Sequence, residues 1–310
     1  MNIVFLGTPE FAVEPLKRIV ESGKDSVIAL VSNNDKLVGR KKILTPPPTK
    51  VYAKSKGIKV LQYDKIRVEG VKDLKSLSPD LMITCAFGQI LSKEILDIAK
   101  YGVFNIHASI LPKYRGASPV HEAILQGEKE TGVTIMKTDV GIDTGDIILS
   151  KTIDIKENET CGELFNRLSY LGADCIIEAI ERLKNGTITY TPQDTEKATF
   201  TKMIKKEDAI LDFTQSAEKI VNKIRAYNPS PVAFTFYQGL PFKVYSAKVC
   251  NDITNLSCGE ILVENGKIYV GAKDFAVELL IVQKAGGKPL TSTEFLRGNT
   301  LPKSLPNGEL

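Results

Sequence analysis

The chain has 310 residues, of which 43% are hydrophobic and 25% charged, the composition of a globular protein of about two domains. Its formal net charge of +4, from 41 basic and 37 acidic residues, permits a polyanionic partner without requiring one. No apolar run approaches about 18 residues and no charged leader precedes one, so we expect a cytoplasmic protein without a signal peptide or a membrane span.

The five cysteines are scattered along the chain and include no Cys-x-x-Cys pair. An odd and dispersed set argues against a disulfide scaffold and against a zinc site, and it favours reduced thiols. We therefore expect neither disulfide bonds nor a bound metal.

The first thirty residues alternate between short apolar runs and a helical stripe. Residues 2–6 and 27–31 predict strands, and the apolar spacing over residues 11–20 predicts a helix between them. This alternation predicts an α/β domain with a doubly wound, mostly parallel, Rossmann-like sheet. The turn after the first strand has one glycine, Gly7, where a pyrophosphate-binding loop needs three, which argues against a dinucleotide-dependent oxidoreductase.

Residues 32–48 lack hydrophobic periodicity and carry the basic residues Lys36, Arg40, Lys41 and Lys42. Irregular loops of this length are uncommon in compact domains and are usually functional or disordered. We predict an irregular, mobile, basic loop. The alternative is a solvated connection that binds nothing.

Residues 80–86 predict a buried central strand, and residues 103–104 predict the end of another. Because side chains alternate along a strand, Asn105 and His107 lie on one face. Open α/β sheets bind ligands at the carboxyl ends of their strands, and an amide beside an imidazole suits acyl chemistry. The alternative is that both residues only cap the strand. The second histidine, His121, is predicted to be structural.

The segment 139–147 carries Gly141 and Gly145 on either side of Asp143. Two glycines allow a sharp turn that brings the carboxylate against another strand end. A carboxylate beside an imidazole favours the imidazolium and fixes the orientation of the ring. Asp and Gly also dominate solvated turns, and we keep that interpretation for Asp146.

The second half of the chain predicts a long helix, a polar stretch and a small β domain. Residues 161–183 have the spacing of an amphipathic helix, after which periodicity fades. Short apolar runs separated by Gly, Asn and Pro follow a helix at 216–227 and predict a small OB-like β-barrel. The predicted domains are residues 1–190, a linker at 191–207, and residues 208–310.

Several segments together resemble one family. They are Asn105-x-His107-x-Ser109-Ile110-Leu111-Pro112, Arg115-Gly116, Thr131-Gly132 and Gly141-Ile142-Asp143-Thr144-Gly145. They are similar to the corresponding segments of the formyltetrahydrofolate-dependent transformylases. The resemblance begins at residues 5–12 and continues into the last hundred residues, which is typical of the members that act on tRNA.

The resemblance implies transfer of a formyl group from 10-formyltetrahydrofolate, a co-substrate, to the α-amino group of charged initiator methionyl-tRNA, with no metal. It implies that Asn105 and the imidazolium of His107 donate to the oxygen of the tetrahedral intermediate. It also implies that Asp143 keeps His107 charged and helps to relay the proton that leaves the amine.

The resemblance further implies where the two substrates bind. The backbone of residues 88–91 pairs with the pterin ring of the folate. The other wall of the folate site is formed by Ser109, Ile110, Leu111 and Pro112. Arg40 contacts the acceptor stem of the tRNA, and the C-terminal barrel provides a tRNA-binding platform.

Two alternative functions remain open. The same three residues serve transformylases of small amines, such as glycinamide ribonucleotide or an amino-sugar nucleotide. The basic segment around Arg40 and the C-terminal domain favour tRNA over these. A folate- or RNA-binding protein without activity is disfavoured, because Asn105, His107 and Asp143 are all present.

Overall fold

The computed structural model describes residues 1–39 and 41–308. The strands are β1 Asn2–Gly7, β2 Ser26–Ser32, β3 Lys36–Val38, β4 Ile43–Thr45, β5 Lys59–Gln62, β6 Leu81–Cys85, β7 Val103–His107, β8 Arg115–Gly116, β9 Glu130–Lys137, β10 Ile147–Asp154, β11 Phe200–Thr201, β12 Phe234–Tyr237, β13 Leu240–Cys250, β14 Ile261–Glu264, β15 Lys267–Gly271, β16 Ala276–Gln283 and β17 Leu290–Thr291. The α-helices are α1 Val13–Ser22, α2 Pro48–Ser55, α3 Ile66–Glu69, α4 Val71–Leu77, α5 Lys93–Leu96, α6 Pro119–Leu125, α7 Cys161–Lys184, α8 Ala217–Ala226 and α9 Ser292–Leu296.

These elements form two compact units that are interleaved along the chain. Unit 1 comprises Met1–Pro119, Thr131–Ile153 and Phe165–Thr201, and unit 2 comprises Val120–Glu130, Asp154–Leu164 and Lys202–Leu310. Unit 2 therefore includes two segments from within the predicted catalytic domain. The domain boundaries predicted after residues 190 and 207 stay a prediction.

Unit 1 is built on a seven-stranded sheet with the strand order β10-β9-β7-β6-β1-β2-β5. The strands from β7 to β5 are parallel, and β9 pairs antiparallel with β7. Residues 3–6 of β1 and every residue of β6 are buried, as expected for parallel strands covered on both faces. The predicted α/β fold with a mostly parallel sheet is confirmed.

The register of the central strands determines which residues meet at their carboxyl ends. Gly7 at the end of β1 pairs with Cys85 of β6, and Thr84 of β6 pairs with Asn105 of β7. On the other side of β7, His107 lies opposite Thr134 of β9. Residues far apart in sequence therefore converge at one edge of the sheet.

The prediction of an irregular loop at residues 32–48 is wrong over the central part of this segment. Strands β3 and β4 form a two-stranded antiparallel ribbon in which Leu37 pairs with Leu44 and Val38 with Ile43. The positive charges of this segment obscured the short apolar pairs that flank them. The backbone N–H of Lys42 donates to the carbonyl of Gly39 at 3.1 Å, and Gly39 has φ of 73°, which glycine adopts without strain.

Unit 2 contains a six-stranded sheet with the order β12-β13-β16-β15-β14, in which β17 also pairs with β16. Its ladders are antiparallel, and the longest strand, β13, has irregular register near Ser246. Helix α8 contributes Ile220 and Ile224 to a core that includes Phe242 and Phe295. The predicted small β domain is confirmed, whereas closure of this sheet into a barrel stays a prediction.

Within residues 1–39 and 41–308, no helix is both long and apolar enough to cross a membrane.

Candidate active site

The structure brings together the three residues predicted to be catalytic, all within unit 1. Asn105 Nδ2 lies 3.4 Å from one carboxylate oxygen of Asp143, and His107 Nδ1 lies 3.6 Å from the other. Asn105 and His107 therefore share one face of β7, as their spacing predicts. The side chains of His107 and Asp143 are 6% and 16% exposed, so the imidazole is buried and the carboxylate borders solvent.

The amide of Asn105 has a defined orientation. The hydroxyl of Thr84, on the neighbouring strand β6, donates to Asn105 Oδ1 at 2.8 Å. Because the amide oxygen accepts this bond, the Nδ2 group faces Asp143. The contact with Asp143 is long for a hydrogen bond, so Nδ2 keeps the capacity to donate to a substrate. Thr84 was not among the predicted site residues.

The imidazole of His107 is held through Nε2, which donates to the carbonyl of Tyr114 at 3.0 Å. A carbonyl oxygen only accepts, so Nε2 carries a proton. The other ring nitrogen, Nδ1, faces the carboxylate of Asp143 at 3.6 Å. This separation exceeds hydrogen-bonding distance but is short enough for the opposite charges to attract. In the imidazolium, Nδ1–H is therefore the donor available to a substrate.

The carboxylate of Asp143 is held by the backbone. Its Oδ2 accepts a hydrogen bond of 2.8 Å from the N–H of Gly116 in β8. Gly116 has φ of 110°, and a Cβ there would lie only 2.6 Å from the carbonyl oxygen of Thr201 in β11. A glycine is required where β8 and β11 approach so closely. A Cβ on Gly145 would lie 1.7 Å from the carbonyl oxygen of Lys137, so this glycine too is sterically required.

Residues 193–201 support this site, although they fall in the predicted linker. Strand β11 pairs in parallel with β8, and the hydroxyl of Thr199 accepts from the backbone N–H of Tyr114 at 2.8 Å. Gln193 bridges the side chain of Arg115 and the backbone of the Asp143 turn. Only the Arg115-Gly116 motif pointed to this arrangement in the sequence, because the polar stretch that contains Gln193 and Thr199 has no periodicity.

The four residues predicted to form a wall of the folate site differ in exposure. Ser109 and Leu111 are buried, whereas Ile110 and Pro112 are half-buried and present side-chain surface. Thr134 holds this segment, because its hydroxyl donates to the Ser109 carbonyl at 2.7 Å and accepts from the Leu111 N–H at 3.1 Å. One proton and two lone pairs on a hydroxyl allow both bonds.

The opposite predicted wall, residues 88–91, follows a sharp turn after β6. Ala86 and Gly88 have φ of 46° and 76°, and the side chain of Ile90 is 71% exposed. The amide of Gln89 donates to Asn33 Oδ1 at 2.8 Å and to the carbonyl of Tyr63 at 3.0 Å. These bonds hold the segment at the same edge of the sheet.

Arg40, the predicted tRNA-binding residue, lies outside the described residues. The residues on either side of it belong to the turn of the β3–β4 ribbon. In the part of the chain that the structure describes, no three His, Cys, Asp or Glu side chains lie close enough together to hold a metal ion.

Comparison with known families supplies the class of protein. The profile of the family described as "Formyl transferase" matches residues 1–180, more than half of the chain and the whole region around Asn105 and Asp143. The chain belongs to the formyl transferase family. A second profile, "Formyl transferase, C-terminal domain", matches residues 203–300.

Relatives of this formyl transferase match it along nearly its full length. Proteins named methionyl-tRNA formyltransferase are 41% identical in Bacillus licheniformis, over 99% of this chain and 98% of the relative, and 43% identical in Agathobacter rectalis, over 96% of each. A solved N-formyltransferase from Helicobacter canadensis, in complex with folinic acid and dTDP-3-aminofucose, has a TM-score of 0.70 at 23% identity. It covers 91% of this chain and 98% of its own, and at that identity the similarity shows the fold.

Proposed function

We propose that this formyl transferase transfers the formyl group of 10-formyltetrahydrofolate to the α-amino group of charged initiator methionyl-tRNA in the cytoplasm, in support of translation initiation. The observation that carries the chemistry is the convergence of Asn105 and His107, on β7, with Asp143, in the turn between β9 and β10. The choice of tRNA is supported by the full-length relatives, which are named for that activity.

The reaction proceeds by attack of the neutral α-amino nitrogen on the formyl carbon. The new C–N bond gives a tetrahedral intermediate, and cleavage of the bond between that carbon and N10 of the folate completes the transfer. Negative charge develops on the formyl oxygen, where Asn105 Nδ2 and His107 Nδ1–H are the available donors. No nucleophilic side chain is required.

Asp143 has two roles in this scheme. Its carboxylate stabilises the positive charge of His107, and it accepts the proton that the attacking amine must lose. That proton then passes to N10 of the folate as the amine of the leaving group forms. The hydrogen bond from Gly116 keeps one carboxylate oxygen fixed during these transfers.

The folate binds between residues 88–91 and residues 109–112 in this proposal. A pterin ring has amide-like donors and acceptors, which the backbone of residues 88–91 can pair with as another strand would. Ile110 and Pro112 supply the apolar surface of the other wall, because they are the half-buried members of the predicted set. Ser109 and Leu111 contribute through the packing that fixes this wall.

A formylation assay with charged initiator tRNA and 10-formyltetrahydrofolate tests the function. We expect formyl-methionyl-tRNA to form, and no comparable product from glycinamide ribonucleotide or an amino-sugar nucleotide. Preference for either small amine would overturn the assignment of tRNA as the substrate. It would leave the proposed chemistry intact, because the same three residues serve transformylases of small amines.

Substitutions of Asp143 and His107 test the roles that the mechanism gives to these two residues. Asp143→Asn and His107→Ala should lower kcat by about 10²–10³-fold with little change in folate affinity, since both groups act on charge that appears in the transition state. Asp146→Asn, the same chemical change at the other end of the turn, is the control and should stay within about two-fold of the parent. Near-normal turnover of either test variant removes that residue from the mechanism.

A further inference from the structure

The turn that carries Asp143 is attached to the rest of unit 1 by the side-chain amide of Gln193. Gln193 Nε2 donates to the carbonyl of Asp143 at 2.9 Å and to the carbonyl of Gly145 at 2.7 Å. Both protons of one amide nitrogen are therefore used to hold the backbone on either side of Thr144. Asp143 itself has φ of 52°, a left-handed conformation that is uncommon for a residue with a side chain.

A buried guanidinium determines the orientation of this amide. Arg115 is only 3% exposed, and its Nε and Nη2 donate to Gln193 Oε1 at 3.0 and 2.8 Å. A guanidinium has donors and no acceptor, so the amide oxygen must face Arg115 and the amide nitrogen must face the turn. The two ends of the Gln193 side chain cannot be exchanged without breaking both sets of bonds.

The backbone at Arg115 links the same network to the carboxylate. The next residue, Gly116, donates its N–H to Asp143 Oδ2 at 2.8 Å. Gln193 holds the main chain of Asp143, while the strand that carries Arg115 holds its side chain. The main chain and the carboxylate of Asp143 are thus held by one connected network of hydrogen bonds.

We propose that Gln193 is a positioning residue for formyl transfer, which acts by holding the Asp143 carboxylate beside His107. The inference rests on the function proposed above, in which Asp143 stabilises the imidazolium and accepts a proton. Gln193 contacts neither substrate in this scheme. Its effect reaches the reaction only through the placement of Asp143, and that dependence can be measured.

Two substitutions separate positioning from folding. Gln193→Leu removes the bonds to the turn and the acceptor for Arg115, so it can also destabilise the protein. Gln193→Glu keeps one oxygen that accepts from Arg115. Its second carboxylate oxygen replaces the amide nitrogen, cannot donate to the carbonyls of Asp143 and Gly145, and repels them. The Glu variant should therefore fold normally and still release the turn. Gln126→Leu is the control, since Gln126 is exposed and its Nε2 donates to Glu122 at 2.7 Å, near the end of α6.

We expect Gln193→Glu and Gln193→Leu to lower kcat by about 10–100-fold, because small displacements of a catalytic group cost rates of this order. The KM for the formyl donor should stay within about two-fold, and Gln126→Leu should match the parent. A Gln193→Glu enzyme with normal thermal stability and normal kcat overturns the proposal.

A double-mutant cycle tests whether Gln193 acts through Asp143. In an Asp143→Asn background, Gln193→Glu should change kcat by less than about two-fold, because the group that it positions no longer functions. Multiplication of the two single effects would show that Gln193 acts by another route, and would overturn the proposal.

A crystal structure of the Gln193→Glu variant provides a test that needs no substrate. We expect the Asp143 carboxylate to leave the Gly116 N–H, which it contacts at 2.8 Å in the parent. An unmoved carboxylate overturns the proposal. Failure of the parent enzyme to formylate methionyl-tRNA would instead overturn the proposed function, and this structural result would still decide whether Gln193 positions Asp143.

Discussion

At the scale of single residues, the candidate site depends on side chains that set the orientation of the reacting groups. Asn105 can present either end of its amide, and the Thr84 hydroxyl selects the oxygen for the protein interior. His107 can carry its proton on either nitrogen, and the Tyr114 carbonyl selects Nε2. In each case a neighbouring group of the protein decides which atom of the side chain remains available to a substrate.

Replacement of Thr84 by valine tests this dependence. Valine keeps the volume of the buried threonine but leaves Asn105 Oδ1 without its donor. Loss of a net hydrogen bond of about 1 kcal/mol corresponds to about a five-fold change, so we expect kcat to fall about three- to ten-fold with little change in KM. Steady-state kinetics with both substrates saturating measures the effect.

Thr235→Val is the control for this prediction. Thr235 is buried like Thr84, and its hydroxyl donates to the carbonyl of Pro306 at 3.4 Å within unit 2. The Thr235 variant should keep the turnover of the parent, and only the Thr84 variant should lose turnover. Equal kcat values for both would mean that Asn105 needs no orientation by Thr84.

At the scale of secondary-structure elements, the β3–β4 ribbon stands out because its apolar side chains face solvent. The exposed fractions are 63%, 53%, 61% and 62% for Leu37, Val38, Ile43 and Leu44. A short two-stranded ribbon without a covering layer is marginally stable in water. A bound partner that covers these side chains would therefore stabilise the ribbon. The positive charges of Lys41 and Lys42 suit the tRNA of the proposed reaction as that partner.

Among the basic residues of segment 32–48, Arg40 should contribute most to the use of tRNA. A guanidinium can bind a phosphate or a base edge through two parallel hydrogen bonds, whereas a lysine provides a point charge. We expect Arg40→Ala to lower kcat/KM for charged tRNA by about ten-fold or more, and Lys41→Ala by less. Lys42→Ala is a second control, because lysine and alanine both carry a Cβ and are therefore equally compatible with the φ of 48° at this position.

Salt and proteolysis give two further measurements of the ribbon. The effect of Lys41→Ala should fade as salt rises, because phosphate contacts are screened and released with counterions. Trypsin should cleave at the turn in the free enzyme and more slowly with charged initiator tRNA. Absence of protection, together with full activity of Arg40→Ala, would show that the ribbon is a solvated connection.

At the scale of the whole molecule, the two units are interleaved in sequence, and a buried histidine in unit 2 predicts a response to acid. Unit 2 includes residues 120–130, and therefore contains His121. Its ring lies 6.4 Å from the ring of Tyr227, and burial lowers its pKa from 6.5 to about 4, against a hydrogen bond with the Ser230 backbone that raises it. The folded state therefore keeps this histidine neutral where an unfolded chain would be protonated.

This difference predicts a loss of stability in acid. Above pH 6.5 both states are neutral at His121, and as the pH falls to about 4 the unfolded state binds the proton first. The resulting decrease in the free energy of unfolding is at most about 3–4 kcal/mol, because the pKa falls from 6.5 to about 4 and each unit corresponds to about 1.4 kcal/mol. Urea unfolding of the parent and of His121→Gln between pH 7.5 and 4 should show it, with the shallower decline in the variant.

Nuclear magnetic resonance provides the direct check, because the chain has only two histidines. The ring protons of His121 should titrate well below pH 6.5, and their signals are assigned by their loss in His121→Gln. Titration near 6.5, or equal acid sensitivity of parent and variant, would contradict the prediction.

Local patterns in the chain were enough for the fold class and for the pairing of two site residues. The alternation of short apolar runs and helical stripes predicted the α/β sheet, because burial on both faces demands continuous apolar strands. The helix predicted at 161–183 is observed as Cys161–Lys184. The common face of Asn105 and His107 follows from the two-residue period of a strand, which is a property of the backbone alone.

The contacts that orient the site required the tertiary structure. Asn105 meets Asp143 across 38 residues of sequence, Gln193 meets Asp143 across 50, and Arg115 meets Gln193 across 78. The local hydrophobic periodicity of a sequence does not predict contacts between residues this far apart. They depend on the order and register of the strands and on the return of residues 193–201 to β8, which the packing of the whole unit determines. The β3–β4 ribbon was missed for a related reason, since strands this short exist only through their pairing with each other.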